Sequence, residues 1–329
     1  MKKRGVGIGL SYYGTGYGNG FPDVSRTNVR LLDDGMVGVF VGATEVGQGA
    51  KTVLSQIAAE ALKIDLDRIS FICEDTHLMP DAGTSAATRQ TYNTGNAIKI
   101  ACEDFIENIK LAAQKELGLN STAGMTVENG EVYLSFFPQK RISFKELSLG
   151  YKDSIEGKGI FTAQTVRMDE ETGQGAPYWP YTFNACVVLV EVDVNTGRVE
   201  VLKSAFAQDV GRAVNPSLVG GQIDGGFAMG LGYALYEDLA LDNGKIRNNR
   251  FSKYLIPTAM DMVDIEKIIV EDPENTAPYG AKGVGEPTTI PVAPAILNAI
   301  YDAIGVRITE LPATPENVIK AIKESNTYL

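Results

Sequence analysis

Gly283-Val284-Gly285-Glu286-Pro287 sets a single carboxylate between two glycines and a proline. Proline disfavours helical backbone for the residue before it, so Glu286 is expected on an extended stretch or a turn. The flanking glycines allow another backbone or a ligand to approach closely. A group that moves protons fits that setting; so does a solvated surface charge, the ordinary state of a glutamate.

Three further loops carry chemistry. Thr44-Glu45-Val46-Gly47-Gln48-Gly49 stands at a strand-to-helix junction, where unpaired N–H groups and the helix dipole attract an anion. A glycine-tolerant turn with Gln48 near the helix cap reads equally well, since the motif matches neither the P-loop nor the dinucleotide pattern. Asp81-Ala82-Gly83-Thr84-Ser85-Ala86-Ala87-Thr88-Arg89-Gln90 places small hydroxyl residues beside an arginine. That combination suits a phosphate, although Ser/Thr/Gly clusters are also the usual signature of a surface loop. Gly220-Gly221-Gln222-Ile223-Asp224-Gly225-Gly226-Phe227 puts glycines through a helical stretch, at a cost of about 1 kcal/mol each against alanine. Close approach of a cofactor or of a neighbouring backbone would offset it.

The elements that must position these groups alternate along the chain. A hairpin spans residues 29–43 and breaks at Asp33-Asp34-Gly35. A helix follows over 49–63, a short strand over 69–73 and a long helix over 94–117, and a second hairpin over 126–134 turns at Asn129-Gly130. Residues 138–180 are rich in Gly, Pro, Lys and Asp and read as an irregular connection. Paired strands over 184–194 and 198–208, helices over 218–235, 292–304 and 315–324, and a strand over 265–271 complete the second half. The expected fold class is α+β: a first mixed α/β subdomain over 1–137 with two of the polar loops, the connection over 138–180, and a second subdomain over 181–329 with the Glu286 loop.

Bulk composition narrows the functions. The 329 residues include 44% hydrophobic and 22% charged residues, ordinary for a globular protein. A net charge of −11 argues against nucleic acid and anionic membranes as partners. Cys73, Cys102 and Cys186 are scattered and His77 is the one histidine, so neither a zinc site nor an iron–sulfur centre is expected, and a redox metal would arrive on a ligand of its own. The odd cysteine count favours a reducing compartment. The apolar start is too short and glycine-rich for a signal peptide, and a cytoplasmic protein is expected.

Taken in order, T-E-V-G-Q-G, D-A-G-T-S-A-A-T-R, D-V-G-R-A-V-N-P with G-G-Q-I-D-G-G-F, and K-G-V-G-E-P resemble the C-terminal half of the molybdenum-binding subunit of the xanthine dehydrogenase (molybdenum hydroxylase) family. The resemblance runs over essentially the whole chain. It is nearest to bacterial members that act on nicotinate and divide this subunit between two polypeptides, an arrangement that the initial Met1 fits.

The resemblance implies a molybdopterin cofactor, in bacteria usually the cytosine dinucleotide, in a cleft between the two subdomains and a partner subunit. Its dithiolene holds the metal, which carries a terminal sulfido or selenido ligand. By motif position Val46, Gly47 and Gln48 contact the cofactor, Gln48 near the oxo ligand. Ala87, Thr88, Arg89 and Gln90 hold the pterin phosphate and rim, and Gln222 hydrogen-bonds the pterin. Glu286 matches the catalytic base, in a buried loop whose desolvation raises its pKa. Leu10, Ser11 and Tyr13 lie where the family lines its substrate pocket. Implied partners are a large molybdopterin subunit, a 2Fe–2S subunit and an FAD subunit. Other N-heterocycles, purines or aldehydes as substrates, and a non-catalytic scaffold, are the rival readings.

Overall fold

A computed structural model describes residues 1–18, 21–151 and 154–325. Its strands are β1 (Lys2–Gly14), β2 (Val24–Leu31), β3 (Val37–Phe40), β4 (Ile69–Ile72), β5 (Met125–Glu128), β6 (Glu131–Leu134), β7 (Phe137–Ser143), β8 (Glu156–Thr162), β9 (Tyr181–Asp193), β10 (Val199–Asp209), β11 (Leu241–Asp242), β12 (Lys245–Ile246) and β13 (Ile265–Val270). The helices are α1 (Ala50–Leu62), α2 (Gly95–Glu116), α3 (Phe144–Tyr151), α4 (Pro216–Leu235), α5 (Val292–Ile304) and α6 (Pro315–Glu324). The architecture is mixed α/β, as expected.

Two compact units emerge. The central unit takes residues 14–180 and 273–283; the discontinuous unit takes 1–13, 181–272 and 284–329. Three differences from the expected layout follow. The N-terminal strand leaves the first half and joins β9. Residues 273–283 join the central unit, where Tyr92 Oη and Thr276 Oγ1 lie 2.9 Å apart and Asn96 donates to the Thr276 carbonyl at 2.9 Å. The segment 138–180 is not irregular throughout: it holds most of β7, all of α3 and β8, its residues 152 and 153 lying outside the described ones.

In the discontinuous unit the sheet runs β1-β9-β10-β13. β9 and β10 are antiparallel and β10 and β13 parallel. Every second residue of β9 (Cys186, Val188, Val190, Val192) packs with Ile223 and Phe227 of α4 and with Ile296 and Ile300 of α5. The inward residues of β1 are Gly5, Gly7 and Gly9, and a Cβ on any of them would collide with backbone atoms of Pro291 or of α5. Glycine lets strand backbone lie directly on helix backbone there. The outer edge of β1 is bonded by side chains: Val6 N–H donates to Asp302 and Asn298 donates to the Ile8 carbonyl, both at 2.9 Å.

The central unit repeats the device. Its sheet runs β4-β3-β2-β8, and Gly157 and Gly159 of β8 lie against the α2 backbone at Ala97, Ala101 and Phe105. Val29, Val37, Val39, Leu54, Ile57, Ile98 and Phe105 are buried. The β5-β6-β7 meander is antiparallel.

Candidate functional site

The expected residues fall into two groups, one in each unit. In the central unit the loops 44–49 and 84–90 meet. The Gln48 amide nitrogen donates to the Thr44 carbonyl and to Gln90 Oε1, both at 2.9 Å, while its oxygen accepts from Val46 N–H at 2.7 Å. Gln90 donates in turn to Ser85 Oγ. Val46 projects outward at 76% exposure. Gly47 has φ +99° with open space where a Cβ would stand.

Glu45, which the motif reading passed over, governs this junction. Its carboxylate accepts from Gly47, Gly49 and Lys51 N–H at 2.7, 3.0 and 3.0 Å. Burial works to raise its pKa, but the backbone donors of Lys51, Gly49, Gly47 and Gln48 outweigh it and hold the carboxyl below its ordinary range. The positive end of α1 is therefore met by the chain's own anion rather than left open for an external one.

Arg89 departs from the expectation in the same way. It is 1% exposed, and its guanidinium pairs with Asp23 and donates to the carbonyls of Ala82 and Val24 at 2.6 and 2.7 Å. Asn93 adds a 2.7 Å donation to the same Asp23 oxygen. So Arg89 braces the loop from inside instead of presenting a cation to a ligand. The residues it braces, Ala87 and Thr88, have φ +55° and +59°, left-handed backbone that costs on the order of 1–3 kcal/mol each and persists only where the surroundings enforce it. Gly283 sits against the Thr88 carbonyl so closely that a Cβ would overlap it.

In the discontinuous unit, Glu286 opens a one-turn 3₁₀ helix, Glu286–Thr288. The Tyr13 hydroxyl donates to its carboxylate. Next to it, Ser11 Oγ donates to Asn184 Oδ1, and Asn184 Nδ2 donates to the Pro287 carbonyl, both at 2.7 Å. Asn184 also reaches Gln208 at 3.2 Å. Thus β1 brings Ser11 and Tyr13 to the Glu286 turn, while Leu10 points outward at 67% exposure. Contrary to the expected buried loop, Glu286 is exposed in this chain; only Pro287 and Thr288 behind it are buried.

The glycines of α4 divide by role. A Cβ at Gly226 would collide with Thr288, and one at Gly230 would crowd Val292 and the Thr289 carbonyl, so these two permit tight packing beneath the Glu286 turn. Gly221 and Gly225 face open space, and Gln222 between them is half-buried. A groove of about 570 Å³ in this unit, lined by Gly230, Tyr233, Glu237, Ile290 and Leu311 among others, touches none of the expected residues. Among the described residues no group of three or more His, Cys, Asp or Glu side chains could hold a metal ion. A ligand that brings its own metal needs no such group, and open Cβ space leaves room for a ligand beside Gly47 in the central unit and, separately, beside Gly221 and Gly225 in the discontinuous unit. No helix is long and apolar enough to cross a membrane among the described residues.

Comparison with known proteins agrees with these features. Residues 1–263 match the model of the molybdopterin cofactor-binding domain. The chain is 34% identical over 324 residues to the "xanthine dehydrogenase molybdenum-binding subunit" of Escherichia coli O157:H7, covering 96% of this chain and 42% of that protein. It is 33% identical to the "6-hydroxypseudooxynicotine dehydrogenase complex subunit gamma" of Paenarthrobacter nicotinovorans, covering 99% and 40%. The crystal structure of the aldehyde oxidoreductase from Desulfovibrio desulfuricans superposes with a TM-score of 0.80 at 34% identity, covering 97% of this chain and 32% of that one. The chain therefore spans about two-fifths of the curated relatives it matches. With the ordered motifs, the mixed α/β fold and this match over nearly its full length, the chain belongs to the molybdenum hydroxylase (xanthine dehydrogenase) family, as a C-terminal-type molybdopterin-binding subunit.

Proposed function

We propose that this chain is the molybdopterin-binding subunit of a cytoplasmic nicotinate dehydrogenase that converts nicotinate to 6-hydroxynicotinate, with water as the oxygen source. The observation that carries this reading is the Glu286 carboxylate, held by the Tyr13 hydroxyl on a turn that Ser11 and Asn184 fasten to β1. When bound, the cofactor (molybdopterin cytosine dinucleotide, with a terminal sulfido or selenido ligand on molybdenum) supplies an activated oxygen and takes up two electrons. Glu286 acts as the base, and the Tyr13 O–H aims one carboxylate oxygen. Ser11 and Tyr13 line the substrate side, with Leu10 on the opposite alternation of β1.

Val46, Gly47 and Gln48 contact the cofactor, and Gln222 takes the pterin. With Arg89 committed to Asp23, Ala87, Thr88 and Gln90 contact the phosphate and pterin rim, and Arg89 serves by fixing their backbone. Electrons leave through 2Fe–2S and FAD subunits to NADP. A large molybdopterin subunit corresponding to the unspanned part of the relatives supplies the remaining contacts and covers Glu286. Relatives described as subunits of hydroxylase complexes support such an assembly.

The test is Glu286→Gln in the reconstituted complex. Turnover should fall by about 10²–10⁴-fold, the usual contribution of a positioned base, with molybdenum content unchanged; near-normal turnover rejects the role. Relatives named for xanthine and for aldehydes favour the alternative of a purine or aldehyde substrate. Turnover of nicotinate, hypoxanthine and a simple aldehyde by one preparation separates the two.

A further inference from the structure

The sheet β1-β9-β10-β13 carries apolar side chains on both faces. Its inner alternation is the core against α4 and α5. On the outer alternation of β1 stand Val6, Ile8, Leu10 and Tyr12, each more than half exposed. Tyr12 stacks on Tyr181 at 4.5 Å between centroids and leans on Phe183 at 5.0 Å, so the β9 aromatics share that face. Further across, the register sets Ala185, Ala207 and Ile268 side by side on three adjacent strands. An antiparallel sheet with one solvated face normally alternates apolar with polar residues, and a broad exposed apolar patch marks an interaction site. The charges at one end, Lys2, Arg4 and Glu191, pair with each other, and Lys203 and Glu266 stand further across on β10 and β13, so the uncharged stretch is the β1 run from Val6 to Tyr12 with the β9 aromatics.

Two observations decide the occupant. On the free edge of β1, Val6 N–H and the Ile8 carbonyl are already taken by Asp302 and Asn298, which opposes an added strand there and favours a partner on the face. A second copy brings the same net charge of −11, and like charge opposes self-association. The matched relatives carry more than half their length outside the part this chain spans. We propose that this outer face is the seat of the polypeptide corresponding to that remaining part, packed through apolar side chains. The inference rests on the subunit reading above.

The test co-expresses the full chain with that polypeptide. Ile8→Asp/Leu10→Asp should cut co-purification at least tenfold, while Leu149→Asp, at a still more exposed position on α3, leaves it unchanged. The chain carrying Ile8→Asp/Leu10→Asp should keep wild-type circular dichroism. Normal assembly of that variant overturns the proposal. So does a self-association of the chain alone that the same substitutions abolish, or protection of the β1 amides from hydrogen exchange equally strong with and without the partner. Glu286→Gln should assemble normally, so a fully active Glu286→Gln complex rejects the catalytic reading while leaving this surface standing.

Discussion

Removing the Asp23 carboxylate should unfold the central unit at markedly lower denaturant. Asp23 and Arg89 are buried together, with side-chain exposures of 9% and 0%. Truncation to alanine strands a guanidinium in the interior, and breaking a buried pair from one side costs about 3–5 kcal/mol. Arg89 would keep its bonds to the Ala82 and Val24 carbonyls, which places Asp23→Ala near the lower end, about 3 kcal/mol. Asp23→Asn retains the shape and one acceptor, so its cost should be nearer the about 1.5–3 kcal/mol of a charged hydrogen bond. Trp179, the single tryptophan, belongs to the same unit, and its fluorescence in urea reports the relevant transition. At a slope of about 3 kcal/mol/M, the alanine variant should lose about 1 M in midpoint. Asp23→Leu with Arg89→Met should recover much of that loss, because apolar replacement of a whole buried pair is often neutral. If Arg89 instead gripped a phosphate, Asp23→Ala would leave the midpoint within about 0.2 M and weaken cofactor retention, and the bracing argument would fail.

Other outcomes follow from the same geometry. Gly7→Ala forces a Cβ into the α5 backbone and should destabilise the discontinuous unit by about 1–3 kcal/mol or more, read by thermal unfolding. Glu45→Gln should weaken the α1 junction at neutral pH. Because the folded pKa of Glu45 is depressed, its contribution is full above the unfolded value near 4.5 and fades as pH falls through the folded one; the urea gap between wild type and Glu45→Gln should therefore close in acid. Burial raises the pKa of Cys102 and lifts that of Cys186 to about 11, and Cys73 is buried too. Iodoacetamide at pH 8 should leave all three unmodified in the native chain and label them in urea, by mass spectrometry.

Much of this was legible in the sequence because its signals are local. Asn129-Gly130, the Gly49-bounded helix and the proline after Glu286 each dictate backbone within a few residues, and the structure has them there. β1 escaped because its inward positions are glycines, which carry no hydropathy; only the outward Val6, Ile8 and Leu10 kept period two. The role of Arg89 escaped because its partner, Asp23, lies 66 positions away, and an arginine among serines and threonines looks the same whether it faces a ligand or the interior. Exposure of Glu286 could not be read either, since glycine and proline fix the turn but not what covers it.

The amide of Gln48 has both hydrogens engaged, one by Thr44 and one by Gln90, and Val46 N–H locks which way it faces. Any guest that draws a hydrogen from Gln48 must displace one of these two acceptors. Taking the second frees Gln90 Oε1, while the Gln90 amide nitrogen keeps its donation to Ser85. For a guest that draws on Gln48, binding at this loop pair is a swap, one bond broken for each one made.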